Sequence, residues 1–258
     1  MKVHILDKTD TKMTFILDGS TPAFANSLRR IMISEIPVLA IDSIEVSENG
    51  SILFDEILAH RMGLIPLSFD PKKFNFSEDC ACKGKGCPSC EVVFALEKTG
   101  PGIVYSGDLK SANKGVEPIG PKFIIAELLE NQTLKLDATA MLGIGSKHAK
   151  WQSSNATYGY WPELEVAGKE KFEKYIKKLP EGTFVQKAGK YVIGDPSKLE
   201  LYKKCEEECD AIKITVDDTK FVFTVESVSG LSPEYIVSKA AEIMEEKAAE
   251  FKKELAGL

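Results

Sequence analysis

Two prolines bracket a short amphipathic segment near the start of the chain, and that segment limits what the rest can fold into. It begins at Thr21-Pro22 and ends before Pro37. Thr21 is placed to cap the free amides of a first helical turn, and Pro22 suits the first helical position, where its missing N–H is not needed. Phe24, Leu28 and Ile31 recur at helical spacing and form an apolar stripe. Arg29 and Arg30 point away from the centre of that stripe. A helix this short is marginal in water, so its stripe must be buried against something. Two readings follow from these residues: a core helix with two solvated arginines, or an assembly helix whose guanidinium groups meet a second body.

The far end of the chain carries a longer helix, about 233–255. Ser232 caps it, Pro233 starts it, and Glu234 suits its positive end. Ile236, Ala240, Ile243, Met244, Ala248, Phe251 and Leu255 make its stripe. At 1.5 Å per residue it spans roughly 35 Å, long for a small sheet to cover. Strand-like runs sit beside both helices: Val3–Leu6, Met13–Leu17, Ala211–Val216 and Phe221–Glu226, the last two hinged at Asp217-Asp218. The simplest α+β arrangement folds residues 1–40 with 211–258 into one unit, with 41–210 inserted. Within the insertion, Leu39–Val46 and Ser51–Phe54 read as paired strands joined at Glu48-Asn49-Gly50, a strong turn signal. A short helix follows over 55–62, then an extended Leu64–Leu67. Glu91–Glu97, Lys122–Leu128 and Thr133–Leu142 read as β-rich, and residues 143–151 as a basic, glycine-rich turn. Residues 165–210 are charged, with two short helical pieces at about 168–178 and 197–208 and little apolar periodicity.

The net charge of the 258 residues is −6. A chain that binds nucleic acid by itself neutralises phosphates with a basic surface, so sequence-specific DNA contact is not expected here. No apolar run approaches the length of a membrane span, and the N-terminus lacks the apolar core of a signal peptide. The protein therefore reads as cytoplasmic, with no membrane partner, and its six cysteines argue for metal over disulfides.

Four of those cysteines, Cys80, Cys82, Cys87 and Cys90, lie within eleven residues. Gly84, Gly86 and Pro88 permit the reversal that brings four thiolates to one ion, and Lys83 and Lys85 offset part of their charge. A closed four-thiolate site is structural, because no coordination position is left for a substrate. Zn²⁺ is the first reading, and an iron–sulfur cluster is the rival. Cys205 and Cys209 stand at i, i+4 and supply only half a site. They are either two unligated cysteines on a polar helix or the remnant of a cluster site.

Signatures of catalysis are missing. There is no phosphate loop, no Gly-x-Ser-x-Gly, no His-Glu-x-x-His and no acidic triplet for two Mg²⁺ ions. His4, His60 and His148 have no nucleophile beside them in sequence, so no catalytic residue is expected in this chain.

Several blocks, taken in order, carry a resemblance. They are Phe24-Ala-Asn-Ser-Leu-Arg-Arg-Ile-Met, Pro37-Val-Leu-Ala-Ile-Asp-Ser-Ile-Glu-Val, and Phe54-Asp-Glu-Ile-Leu-Ala-His-Arg-Met-Gly-Leu-Ile-Pro-Leu67. Gly145-Ser-Lys-His-Ala-Lys-Trp151 and Phe223-Thr-Val-Glu-Ser-Val-Ser-Gly-Leu-Ser-Pro-Glu-Tyr-Ile complete the set. Together they resemble the D-type subunits of archaeal DNA-directed RNA polymerase, a family related to the third-largest subunit of eukaryotic polymerase II and to the N-terminal domain of bacterial alpha. The resemblance implies a dimerisation domain built from both chain ends, interrupted by a β-rich insert over 41–164 and a small ferredoxin-like subdomain over 165–210. It implies a non-catalytic platform in a nucleotidyltransferase complex. Subunit L would be its heterodimer partner, with subunits N and P and the large catalytic subunits joining afterwards. It places Phe24, Leu28 and Ile31 on one dimerising helix and Ile236, Ile243 and Phe251 on its companion, with one or both of Arg29 and Arg30 meeting the second-largest subunit. Some relatives carry four or more cysteines in the subdomain for an iron–sulfur cluster. With only Cys205 and Cys209 there, this subdomain is expected to be clusterless, and loop 80–90 resembles the zinc loop of the eukaryotic relative.

Overall fold

Alternating apolar residues make strands the commonest regular element of the chain, and the computed structural model describes residues 1–187 and 189–257. The strands are β1 (Lys2–Lys8), β2 (Lys12–Asp18), β3 (Val38–Asn49), β4 (Leu67–Ser68), β5 (Glu91–Thr99), β6 (Gly102–Tyr105) and β7 (Lys110–Ser111). They continue as β8 (Glu117–Pro118), β9 (Ile124–Leu128), β10 (Thr133–Gly143), β11 (Ser154–Val166), β12 (Phe184–Lys187), β13 (Lys190–Ile193) and β14 (Ile212–Ser227). The helices are α1 (Pro22–Ser34), α2 (Asp55–Gly63), α3 (Lys169–Ile176), α4 (Leu199–Glu208) and α5 (Pro233–Leu255). The fold is mixed helix and sheet. Two compact units emerge: Met1–Arg30 with Ala156–Glu226, and Ile31–Asn155 with Ser227–Leu258. The division falls inside α1, and it groups α5 with the Cys80–Cys90 loop, whereas the sequence groups α5 with the first strands.

In the first unit the sheet order is β1-β2-β14-β11. Phe15 of β2 pairs with Phe223 of β14, and their rings stack at 5.0 Å. Tyr158 of β11 lies on the same Phe223 ring at 5.4 Å. Both outer strands carry features that suit an edge: β1 is exposed along its length with Lys2, Asp7 and Lys8, and β11 carries Pro162. Strand β14 corrects one expectation. It runs unbroken through Asp217-Asp218, where a hinge is expected. Asp217 accepts the Thr219 amide at 2.9 Å and the Thr219 hydroxyl at 2.7 Å, so its carboxylate is satisfied along the strand without a turn.

Residues 165–212 hold a core of their own: Phe172, Phe184, Tyr202, Cys205, Cys209, Ala211 and Ile212. The Phe172 ring meets Phe184 edge-on at 5.1 Å and Tyr191 at 5.2 Å. The aromatics come from separate short elements, α3, α4 and the β12–β13 hairpin, and are flanked by lysines and glutamates. No sequence window contains enough of them to show a period, so the hairpin and the core are new findings.

In the second unit the main sheet has order β3-β10-β5-β7. Strand β10 is central and alternates buried with exposed residues, as a half-covered strand must. Strand β3 pairs with β10, from Val38 opposite Gly143 to Asn49 opposite Leu134. The hairpin expected at Asn49-Gly50 is therefore absent. The Asn49 side chain accepts the Ser51 amide at 3.1 Å and donates to Leu53 O at 2.8 Å and Asp55 Oδ1 at 2.7 Å. Local satisfaction by the side chain replaces the ladder and folds residues 49–55 into a loop before α2.

Trp151 anchors the basic turn after β10. Its indole N–H donates to Met141 O at 3.2 Å, and its ring lies against the Gly143 backbone. A Cβ at 143 would strike that ring. Gly143→Ala is expected to destabilise the protein by about 1–3 kcal/mol through overpacking, read as a lower denaturation midpoint. An unchanged midpoint would contradict this packing.

Lys98 Nζ donates to Asp108 Oδ2 at 2.6 Å and to Ile103 O at 3.0 Å, and the Tyr105 amide donates to the same carboxylate at 2.8 Å. Burial pushes the Asp108 carboxyl up, but the Lys98 bond, the Tyr105 amide and the Lys98 charge together hold it below its ordinary value. A folded-state pKa below the unfolded one stabilises fully above the ordinary carboxylate range and loses that stabilisation as pH falls through the lowered value. Asp108→Asn should cost about 1 kcal/mol at neutral pH, with the deficit shrinking in acid. A deficit independent of pH would rule out the ion pair as its source.

Candidate metal centre and assembly surface

The four clustered cysteines are brought together by backbone that few residues adopt. Lys83, Gly84 and Gly86 have φ of 55°, 76° and 80°, the left-handed region that glycine tolerates without strain. A side chain at Gly86 would also strike the Glu91 carboxylate. The Lys83 amide donates to Cys80 O at 2.8 Å and the Cys90 amide to Cys87 O at 2.9 Å, closing two tight turns. Cys90 then leads directly into β5. Cys80 and Cys90 are buried, while Cys82 and Cys87 are half-buried.

The sulfurs are 3.5 Å apart for Cys80–Cys87, 3.6 Å for Cys82–Cys90 and 3.7 Å for Cys87–Cys90. These are not disulfides, whose sulfurs lie about 2.05 Å apart. A tetrahedral ion with metal–sulfur bonds of about 2.3 Å sets its ligands about 3.8 Å apart, close to what these thiols present. All four sulfurs lie within 4.8 Å of one another. Among the described residues this is the one cluster of three or more His, Cys, Asp or Glu side chains able to share an ion. Burial pushes Cys82 up, but bonds from the other three thiols and the Gly84 amide bring it down to about 7. Burial pushes Cys90 up to about 12, so an arriving cation must displace that proton.

Cys205 and Cys209 are elsewhere and different. They are 2% and 4% exposed, and they pack as small apolar side chains in the aromatic core of residues 165–212. No third or fourth ligand joins them among the described residues.

The helices carry the expected caps. The Phe24 amide donates to Thr21 Oγ1, and the Tyr235 amide to Ser232 Oγ, both at 3.3 Å. Their apolar stripes fare unequally. Leu28 and Ile31 are each 5% exposed and Ile236 is fully buried, so this chain already removes them from water. Phe24 and Ile243 are half-buried, and Phe251 is 67% exposed. The surface left over is therefore narrower than the sequence pattern, and it lies on the later turns of α5. Arg29 donates to Asn26 Oδ1 from Nε at 3.2 Å and Nη2 at 2.9 Å, which lays its guanidinium along α1, and Arg30 is exposed.

The basic turn is tied down mainly by its own contacts. Lys150 pairs with Asp42 at 2.5 Å and stands over the Trp151 ring at 4.3 Å. Lys147 reaches Glu78 at 3.7 Å. His148 Nδ1 accepts the Lys150 amide at 3.1 Å, a capping role. No helix among the described residues is long and apolar enough to cross a membrane.

Known proteins are similar to this chain along nearly its whole length. The family described as RNA polymerase Rpb3/RpoA insert domain matches residues 41–162. DNA-directed RNA polymerase subunit Rpo3 of Methanothermobacter thermautotrophicus is 36% identical over 255 residues, covering 96% of each chain. The protein of the same name from Pyrococcus horikoshii is 39% identical over 262 residues, covering 99% of this chain and 98% of the relative. That from Methanopyrus kandleri is 37% identical over 265 residues, covering 99% and 96%. Likeness of this degree across nearly the whole length has one meaning: the chain belongs to the Rpo3 family of archaeal DNA-directed RNA polymerase, the D-type subunits.

Proposed function

We propose that this chain is the non-catalytic assembly platform of an archaeal RNA polymerase in the cytoplasm. It pairs with subunit L, and the heterodimer, joined by subunits N and P, organises the large subunits that hold the phosphodiester chemistry. The observation that carries this reading is the later half of α5. Its first turns bury Ile236 and Ala240, while Phe251 and Leu255 face water at 67% and 54% exposure. A helix that continues beyond its own core with aromatic and aliphatic side chains outward is suited to a second chain. The partner-facing set becomes Phe24, Ile243 and Phe251, with Leu28, Ile31 and Ile236 as the buried backing of their helices, and Arg29 and Arg30 directed to a large subunit. In this reading residues 1–40 and 211–258 act together in dimerisation, 41–164 form the insert, and 165–210 are a ferredoxin-like subdomain without a cluster.

Loop 80–90 is read as a structural zinc site held by Cys80, Cys82, Cys87 and Cys90. The sulfur spacing supports a single ion over a cluster, which distributes its thiolates over several irons. Zinc would supply a rigid cross-link and no reaction, since four thiolates leave no open position.

Phe251→Asp separates pairing from folding, because Phe251 is exposed in the lone chain. It is expected to keep the helical spectrum and to weaken co-purification with subunit L by roughly a hundredfold, as when an interface anchor is replaced by a charge. Undiminished co-purification would remove this face from the interface. Leu28→Asp is the poorer test, since charging a buried side chain unfolds the chain first. Metal analysis of the purified protein should return one zinc per chain and a colourless sample, and Cys82→Ser should lose that zinc. Stoichiometric iron with visible absorption would overturn the zinc assignment.

A further inference from the structure

The segment that leads into the Cys80–Cys90 loop lies opposite helix α5. Residues 71–79, which lead into the first thiol, face the early turns of α5 across a cleft of about 380 Å³. Pro71, Phe76 and Asp79 line one wall, and Tyr235, Lys239 and Glu242 line the other. The two walls are held by different means.

The α5 wall is fixed by backbone packing. Gly230, three residues before the helix, lies so close to β4 that a Cβ there would collide with Leu67 O. Ser227 Oγ donates to Leu231 O at 2.6 Å, and the Ser232 cap follows. None of these contacts involves the cysteine loop.

The opposite wall is attached to that loop. The Asn75 amide donates to Ser89 O at 2.9 Å, between the third and fourth thiols. The Asp79 amide donates to Phe76 O at 3.1 Å, one residue before Cys80. Phe74 is buried and meets Phe69 edge-on at 6.2 Å, which anchors only the start of the segment. Beyond Phe74, the wall is tied to Ser89 and to an exposed Glu78–Lys147 ion pair at 3.7 Å that contributes little. Ser89 is positioned by one exposed bond from Asn113 Nδ2 to Pro88 O at 3.2 Å and by the closure of four sulfurs that no covalent bond joins. A metal ion is the cross-link that makes this closure rigid.

We propose that the metal centre sets the position of the 71–79 wall, so that loss of the ion opens the cleft and exposes Tyr235 while α5 stays in place. This rests on the reading of Cys80, Cys82, Cys87 and Cys90 as metal ligands. It gives the loop a task beyond local folding: it shapes the ground beside the start of the helix that carries the assembly surface.

The test uses the full chain carrying 3-fluorotyrosine at its seven tyrosines, with the Tyr235 resonance assigned by Tyr235→Phe. Fluorine relaxation by a neutral nitroxide in solution reports the exposure of each ring, and metal content is measured on the same sample. Chelation should raise the relaxation of Tyr235 by roughly threefold, as for a locally opened segment, while leaving buried Tyr202 unchanged, and added zinc should reverse it. Asn75→Pro removes the amide that reaches Ser89 but keeps all four thiols. It should bind the metal in full yet show the raised Tyr235 signal without chelation. Bound metal whose removal leaves Tyr235 unchanged would overturn the coupling and spare the metal site. A chain that takes up no zinc would overturn both. Equal gains at every tyrosine would mean global unfolding and would also overturn the proposal.

Discussion

Helix α5 is longer than the surface its own chain provides for it, and much else in the molecule depends on that mismatch. Its start is fixed by the Ser232 cap, by Pro233 and by the close approach of Gly230 to Leu67. Its early turns are sealed at Ile236 and Ala240. After Met244 the helix is exposed, and the ion pair between Lys247 and Glu35 joins that half to the residue following α1. Where the backbone is already helical, a partner that covers the exposed aromatic and aliphatic side chains has only their rotamers left to order. That is the physical sense in which such a helix suits assembly.

The cysteine loop solves a different problem. Residues 70–90 connect the end of β4 to β5 with little apolar content, too little to hold a fixed path by burial alone. Four sulfurs within 4.8 Å of one another, three of their pairs 3.5–3.7 Å apart, supply a point of closure, and left-handed backbone at Lys83, Gly84 and Gly86 makes the approach possible. The other pair, Cys205 and Cys209, shows the contrast. Buried among Phe172, Phe184 and Tyr202, they contribute packing in a subdomain held by aromatic contacts.

Much of this was legible in the residues. The caps at Thr21 and Ser232, helix α2, strand β10 and the closure of the four thiols all follow from local chemistry, because each depends on neighbours in sequence. The failures share a cause. Asn49-Gly50 looks like a hairpin turn, but the asparagine side chain satisfies the following backbone, and β3 finds its partner far along the chain, in β10. Asp217-Asp218 looks like a hinge, yet the Asp217 carboxylate is satisfied by Thr219 within a strand that runs on. The core of 165–212 draws its aromatics from separate short elements, so no periodic window reveals it. The burial of Leu28 and Ile31 was likewise out of reach: a stripe announces that it must be covered, not which chain covers it.

Amide hydrogen exchange across residues 243–255, compared between the chain alone and the chain bound to subunit L, addresses the central claim most directly. The expected result is fast exchange in the lone chain and strong protection in the complex, confined to that half of α5 and the exposed edge of α1. Equal exchange in both samples, with the complex demonstrably formed, would mean that the partner binds elsewhere and that the outward flank of α5 is not the assembly surface.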